Sequence, residues 1–327
     1  MHRFRFHSSI SLPLAAGFLA ACLAQSTIAQ PPDMEAINKR PDNAGTGPYA
    51  AIKEEVATLP AHVVYRPANL AALGSQKLGV VAWGNGGCSE DGASSRFHLL
   101  ELASHGYLVI ANGRILSGPG APAPEPREPV PEGQLPPPRT SAADLITAID
   151  WALAENQRTG SDYFGRIDPE QVAVSGFSCG GLQALTAAAD PRVTATVLQN
   201  TGIFVDGPST IPGMDLAKDA LLKLHTPVIY ILGGETDIAY VNGMDDYAHI
   251  DHLPVAVANL PVGHGGTYME ENGGRAAQVA VNWLQWQLRG DSNAARTFLG
   301  NECGLCQNPD WTFESKRLTS DMASSRK

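Results

Sequence analysis

The chain has 327 residues, of which 43% are hydrophobic and 17% charged, and its formal net charge is −10. This length and composition favour one large folded domain with a substantial core. The acidic balance and the lack of a cluster of Lys and Arg argue against nucleic acid as a partner, and no apolar stretch beyond the N-terminal segment is long enough to predict a membrane span.

Residues 1–29 have the pattern of a secretory signal peptide. A basic start precedes the short apolar segment 12–23, and residues 27–29 offer the small side chains of a cleavage site. A second interpretation stays open, because residues 19–22 match a lipobox, which would end the signal before Cys22 and attach a lipid anchor there. Both interpretations predict an exported protein, either periplasmic or extracellular, and the second adds attachment to a membrane surface.

Residues 30–290 divide into an arm and a domain in which strands and helices alternate. Residues 30–60 are polar and are predicted to be an N-terminal arm, and residues 61–290 are predicted to form the catalytic domain. The predicted strands are 62–66, 78–83, 106–112, 172–174, 195–199, 227–232 and 255–260. The predicted helices are 94–104, one that begins at Ser141, 181–189 and 276–289. This alternation predicts an α/β fold with a mainly parallel sheet flanked by helices.

A proline-rich insertion, residues 116–139, interrupts one strand-to-helix connection. Its nine prolines argue against regular structure, and such connections are usually short. Two interpretations remain open: the insertion shapes one rim of an active site, or it is a solvated excursion.

The most informative stretch is Gly176-Phe177-Ser178-Cys179-Gly180, a G-x-S-x-G sequence. A β-branched apolar run precedes it and a run of good helix formers follows it, so the serine is predicted at the tip of a strand–turn–helix unit. That context is typical of a nucleophilic serine, because small neighbours allow the sharp turn. The alternative is an ordinary glycine-rich turn with an N-capping serine.

A serine nucleophile needs a base and an acid that orients the base. Asp237 follows the 227–232 strand and His264 follows the 255–260 strand, in the order Ser, acid, His that this architecture uses. We therefore predict Ser178 as nucleophile, His264 as general base and Asp237 as the acid. Glu235 is the alternative acid.

No metal and no cofactor is predicted. His249, His252 and Asp245 fall where a helix face could gather them around a metal ion, but such a face is more often solvated.

The negative charge of a tetrahedral intermediate needs two N–H donors. The first is predicted to be the backbone N–H of Cys179, and the second that of Asn85, with Gly86 as the next choice, in the glycine-rich loop after the 78–83 strand. The alternative for this loop is an ordinary turn.

Four cysteines follow the signal segment, and export makes disulfides the default. Three pairings are possible. Cys303 and Cys306, in the predicted C-terminal extension 291–327, are close enough to bridge locally, which leaves Cys88 for Cys179. A redox centre or half of a zinc site remains the alternative for the C-x-x-C sequence.

Several segments of the sequence resemble a known family. The similarity runs from about residue 96 to 289 and rests on the segments 102–110, 164–168, 176–181, 235–237 and 263–264. It is similar to the α/β-hydrolase superfamily, in the branch that holds dienelactone hydrolases and cutinase-like polyester hydrolases, including poly(ethylene terephthalate) hydrolases. The resemblance implies an α/β-hydrolase fold. It also implies that the family's nucleophile, acid, base and second oxyanion residue correspond to Ser178, Asp237, His264 and Asn85.

These observations together predict a secreted serine hydrolase that cleaves carboxylic esters through an acyl-enzyme intermediate. The expected partner is a small-molecule or polymeric ester, whose identity and size the sequence leaves open. An amidase or peptidase with the same three residues is one alternative. A catalytically silent, hydrolase-like binding protein is the other.

Overall fold

A nine-stranded, mostly parallel sheet organises the fold. The structure is a computed structural model that describes residues 33–123, 136–205, 207, 209 and 211–320. The predicted signal segment with Cys22, and part of the proline-rich insertion, lie outside the described residues. From Met34 onward the chain forms one compact unit, so the sheet and its helices make a single α/β domain.

The strand order in the sheet is β1-β2-β4-β3-β5-β6-β7-β8-β9. The six strands from β4 to β8 in this order are parallel to one another, whereas β1, β2 and β9 pair antiparallel with their neighbours. The strands are β1 (Ala51–Glu55), β2 (His62–Pro67), β3 (Leu78–Gly84), β4 (Tyr107–Asn112), β5 (Ile167–Phe177), β6 (Ala195–Gln199), β7 (Val228–Leu232), β8 (Val255–Asn259) and β9 (Thr312–Lys316).

Helices cover both faces of the sheet. They are α1 (Met34–Lys39), α2 (Arg96–Ser104), α3 (Ala142–Gln157), α4 (Cys179–Ala187), α5 (Tyr240–His249), α6 (Gly274–Arg289), α7 (Ser292–Ala295) and α8 (Gly304–Gln307). Side chains of α2 and α6 pack in one hydrophobic cluster, and side chains of α3, α4 and α5 pack in a second. Successive residues of a strand, such as Val80 and Val81, enter opposite clusters. This explains why the central strands read as continuous apolar runs.

Local signals in the sequence set the ends of two helices. Ser141 and Asp144 form a capping box at the start of α3, as their spacing predicts. Gly290 ends α6 in the left-handed conformation, with φ 69°.

Two strands lie outside the predicted domain bounds of 61–290. β1 belongs to the predicted arm and β9 to the predicted C-terminal extension, and both join the same sheet. Their sequences, Ala-Ile-Lys-Glu-Glu and Thr-Phe-Glu-Ser-Lys, are short and polar. Their strand conformation therefore depends on pairing with β2 and β8, and their own sequences give little indication of a strand. Within the described residues, every helix is too short or too polar to traverse a bilayer.

Candidate active site

Ser178 occupies the sharp turn between the end of β5 and the start of α4. Its backbone angles, φ 54° and ψ −123°, are rare for a residue with a side chain. The turn is possible because Gly176 has no Cβ, which in any other residue would overlap the carbonyl group of Gly180. Strand and helix therefore meet backbone to backbone. Thr201 supports the turn by donating a hydrogen bond of 2.8 Å from its hydroxyl to the Ser178 carbonyl oxygen. The predicted strand–turn–helix context is therefore present.

The structure brings the three predicted residues into one hydrogen-bonded chain. The Nε2 atom of His264 lies 2.9 Å from the Ser178 Oγ atom, and its Nδ1 atom lies 2.6 Å from Oδ1 of Asp237. With the proton on Nδ1, the imidazole donates to Asp237 and Nε2 is free to accept from the Ser178 hydroxyl. Ser178, Asp237 and His264 follow β5, β7 and β8, so the carboxyl ends of these parallel strands place them at one edge of the sheet.

Asp237 is buried, and its carboxylate accepts several hydrogen bonds. Burial alone would raise the pKa of Asp237, but hydrogen bonds to the carboxylate outweigh it and hold the pKa below its ordinary value of 3.8. The donors are His264, the backbone N–H groups of Ala239 and Gly233, and the Asn200 side chain. Because the carboxylate is charged and fixed, it can hold the His264 ring in one tautomer and stabilise an imidazolium ion.

Asn200 and Tyr268 are parts of the site that the sequence analysis did not identify. Asn200 Nδ2 lies 2.8 Å from Oδ2 of Asp237, and the Tyr268 hydroxyl donates to the Asn200 side-chain oxygen. The Tyr268 ring packs against Phe177 at a centroid distance of 4.5 Å, and Phe177 in turn lies 5.2 Å from the His264 ring. Asn200 directly follows β6, so its position at a strand end was the available signal. Tyr268 had none.

The predicted oxyanion loop lies against the start of α4. A Cβ on Gly180 would overlap the carbonyl group of Gly84, which ends β3, so no side chain separates the loop from the helix. Cys179 lines the cavity at Ser178. Of the loop residues, Gly87 lines the cavity, whereas Asn85 is buried and its side chain donates to the carbonyl oxygens of residues 89 and 112. The Asn85 side chain thus holds the loop through hydrogen bonds to the protein interior.

The four cysteines form two disulfides, Cys88–Cys179 and Cys303–Cys306. This is the arrangement in which Cys303 and Cys306 bridge locally, one of the three pairings that the sequence left open. Among the described residues, no group of three or more His, Cys, Asp and Glu side chains is arranged to hold a metal ion.

The alternative residues weighed from the sequence are placed elsewhere. Glu235 is exposed, and the His264 ring bonds to Asp237 instead. His252 Nε2 lies 2.9 Å from the carbonyl oxygen of Leu224, whereas the His249 ring contacts Asp245.

A cavity of about 350 Å³ opens at Ser178 and His264. Its apolar wall consists of Pro136, Leu182, Phe204, Ile211, Ile238 and Ala239, and its polar groups apart from Ser178 and His264 are Asn200, Thr201 and Asn242. None of the described lining residues is Asp, Glu, Lys or Arg. At the rim, Ile238 is 80% exposed. Pro136, near the C-terminal end of the proline-rich insertion, contributes to this wall, which favours the interpretation that the insertion shapes one rim of the cavity.

In comparisons with known proteins, the sequence matches no family model and no curated protein.

Proposed function

We propose that this protein is a serine hydrolase of the α/β-hydrolase type that cleaves carboxylic esters. The observation that carries the proposal is the hydrogen-bonded chain from Ser178 through His264 to Asp237, with a strained serine at the mouth of a cavity. The order of these residues along the chain and the sheet of parallel strands beneath them add support.

The reaction follows from the contacts of each residue. His264 Nε2 takes the Ser178 proton while Oγ attacks the ester carbonyl carbon, and Asp237 stabilises the resulting imidazolium. The backbone N–H of Cys179 and one from the 85–87 loop bind the oxyanion of the tetrahedral intermediate. His264 then protonates the leaving alcohol, and an acyl-enzyme forms on Ser178. A water molecule, deprotonated by His264, releases the acid and restores the serine.

The cavity favours a neutral substrate with an apolar acyl group. Its wall is mostly apolar and its described lining contains no cationic side chain that would pair with a substrate carboxylate. A volume of about 350 Å³ is near the lower end for ligand sites, so a short aliphatic chain or a single ring fits it better than a long chain does.

We also propose that the protein is exported, because two disulfides are expected to persist in an oxidising compartment. The predicted signal segment agrees with this location.

The test is hydrolysis of p-nitrophenyl esters from acetate to decanoate by the wild type, by Ser178→Ala, and by Ser315→Ala as a matched control on the exposed edge strand. We expect turnover by the wild type and the control, fastest with short chains, and near-background rates for Ser178→Ala. Equal rates for wild type and Ser178→Ala would refute the role of Ser178. A folded but inactive wild type would direct attention to p-nitroanilide amides and then to binding without catalysis.

A further inference from the structure

We propose that the Cys88–Cys179 disulfide and the Thr140 contacts attached to it form a positioning unit that fixes the oxyanion donors and one wall of the cavity. This inference rests on the proposed function. It assigns to a disulfide a role in transition-state stabilisation as well as in stability.

The disulfide joins the two chain segments that supply the donors. Cys179 directly follows Ser178, and its own N–H is one proposed donor. Cys88 ends the short turn that begins after Asn85, and Gly87 of that turn lines the cavity. The Cα atoms of the two cysteines are 5.2 Å apart, and both side chains are buried. The bond therefore crosses directly from one half of the oxyanion site to the other.

Bare backbone contact allows this approach but does not hold it. Gly84 and Gly180 meet through their backbones, so no side chains interlock at this contact between the loop and α4. Packed side chains normally supply such constraint. Here a covalent bond replaces it.

The backbone of Cys88 also needs external support. Its φ of 47° and the φ of 64° at Gly87 place two successive residues in the left-handed region. A residue with a side chain adopts this conformation only where its surroundings impose it. The Cys88 carbonyl oxygen accepts hydrogen bonds of 2.9 Å from the Arg139 N–H, 3.1 Å from the Thr140 N–H and 3.1 Å from the Thr140 hydroxyl.

These contacts close a ring that returns to α4. The Gln183 side chain, one turn after Cys179, donates to the Thr140 carbonyl oxygen at 2.6 Å and contacts its hydroxyl at 3.2 Å. Pro136, four residues before Thr140, lines the cavity. The same hydrogen bonds and the disulfide therefore hold the proposed oxyanion donors, the 85–88 loop and the cavity wall at Pro136 in fixed positions.

The consequence is a selective effect on the transition state. The oxyanion exists only after the serine has attacked, so donors displaced by a fraction of an ångström weaken the intermediate more than the bound ester. Loss of the disulfide should then lower kcat while KM changes little.

The experiment compares Cys88→Ala/Cys179→Ala with Cys303→Ala/Cys306→Ala, using p-nitrophenyl butyrate. The first substitution leaves the residue 179 N–H in the chain, so a loss of activity reports its position. We expect kcat to fall roughly 10- to 100-fold in the first variant, somewhat less than the loss of a whole donor, and to stay at the wild-type value in the second. Circular dichroism at the assay temperature establishes that both variants are folded.

A second readout separates positioning from general loosening. A trifluoromethyl ketone forms a tetrahedral adduct that carries an oxyanion, and its inhibition constant should rise in parallel with the loss of kcat/KM. Thr140→Val retains the disulfide and removes only the hydroxyl contacts, so it tests the unit even where the double variant does not fold. We expect a several-fold lower kcat for Thr140→Val with KM unchanged.

Unchanged kcat in the folded Cys88→Ala/Cys179→Ala variant, or in Thr140→Val where the double variant does not fold, would overturn the inference. A wild type that hydrolyses no ester is a different result, since it refutes the proposed function itself.

Discussion

The two disulfides of this protein join very different parts of it. Cys88–Cys179 spans 91 residues, is buried, and connects the segments that follow the central strands β3 and β5 beside Ser178. Cys303–Cys306 spans 3 residues within one turn, has an exposed member, and lies near the edge strand β9. One constrains distant segments that meet at the site, whereas the other tightens a local turn. The surroundings of a disulfide, more than the bond, thus decide what its loss affects.

The sharpest contrast between the two regions is expected from one substitution made in each. Asp237→Asn keeps the shape of the side chain but favours the wrong His264 tautomer, and we expect kcat to fall about 10⁴-fold. Asp310→Asn removes the exposed ion pair with Arg275 near the edge strand. Such pairs contribute little even to stability, so we expect this variant to keep the wild-type kcat. Steady-state kinetics on p-nitrophenyl butyrate measures both. Similar losses in the two variants would contradict the assignment of Asp237.

The two disulfides should also differ in their contribution to stability. Loop-closure entropy predicts a loss of about 4.6 kcal/mol on removing the 91-residue cross-link and about 1.6 kcal/mol on removing the 3-residue one. Urea unfolding of the two double alanine variants measures the difference. A larger loss from Cys303→Ala/Cys306→Ala would show that local packing outweighs loop length here.

The acid dependence of stability should contain a contribution from Asp237. The pKa of its carboxyl in the folded protein lies below 3.8, so its hydrogen bonds stabilise the fold above that pH, and this stabilisation is lost as the pH falls through the folded pKa. We expect the gap in unfolding free energy between wild type and Asp237→Asn to be constant near neutral pH and to shrink below about 3.8. A gap that widens in acid would contradict the direction of the shift.

Tyr268→Phe tests the buried support of the site. The change leaves the Asn200 side-chain oxygen without its donor, at an expected cost of about 1–3 kcal/mol in unfolding free energy, together with a lower kcat. Tyr247→Phe is the matched control, because that ring lies under Lys316, which pairs with the first residue of β8, whereas His264 follows the opposite end of that strand. We expect the control to retain its kcat. A Tyr268→Phe variant with wild-type stability and kcat would show that the Tyr268 hydroxyl does not support Asn200 or the site.

The smallest effect concerns chemical access. A thiol reductant must reach a sulfur atom, so under native conditions Cys303–Cys306 should open first and Cys88–Cys179 should resist. Alkylation followed by mass spectrometry identifies the reduced pair, and activity should be unchanged at that stage. Earlier reduction of the buried pair would show that the loop after β3 opens readily.

Much of the fold was predictable because its signals are local. The apolar runs of β3, β4, β7 and β8, the capping box of α3 and the glycine after α6 all act within a few residues. The predicted Ser178, Asp237 and His264 meet because strand ends gather them, which is a property of topology and not of any neighbouring sequence.

The remainder depended on contacts between residues that are far apart in the chain. Asn200 supports Asp237 across 37 residues, and Tyr268 supports Asn200 across 68. Neither residue type is specific to such a role. The same applies to the loop after β3, where the chain geometry places Gly87 at the cavity and turns Asn85 inward, a detail that composition does not encode.

The antiparallel pairing of β9 with β8 has a consequence for association between molecules. Each of the five residues of β8 is buried, and the strand reads Val-Ala-Val-Ala-Asn. Without β9, its backbone N–H and C=O groups would form an apolar open border, which readily accepts a strand from another molecule. β9 carries Glu314 and Lys316 instead, and charged side chains discourage such addition. By covering the edge of β8, the C-terminal strand is therefore expected to hinder aggregation by strand addition at that edge.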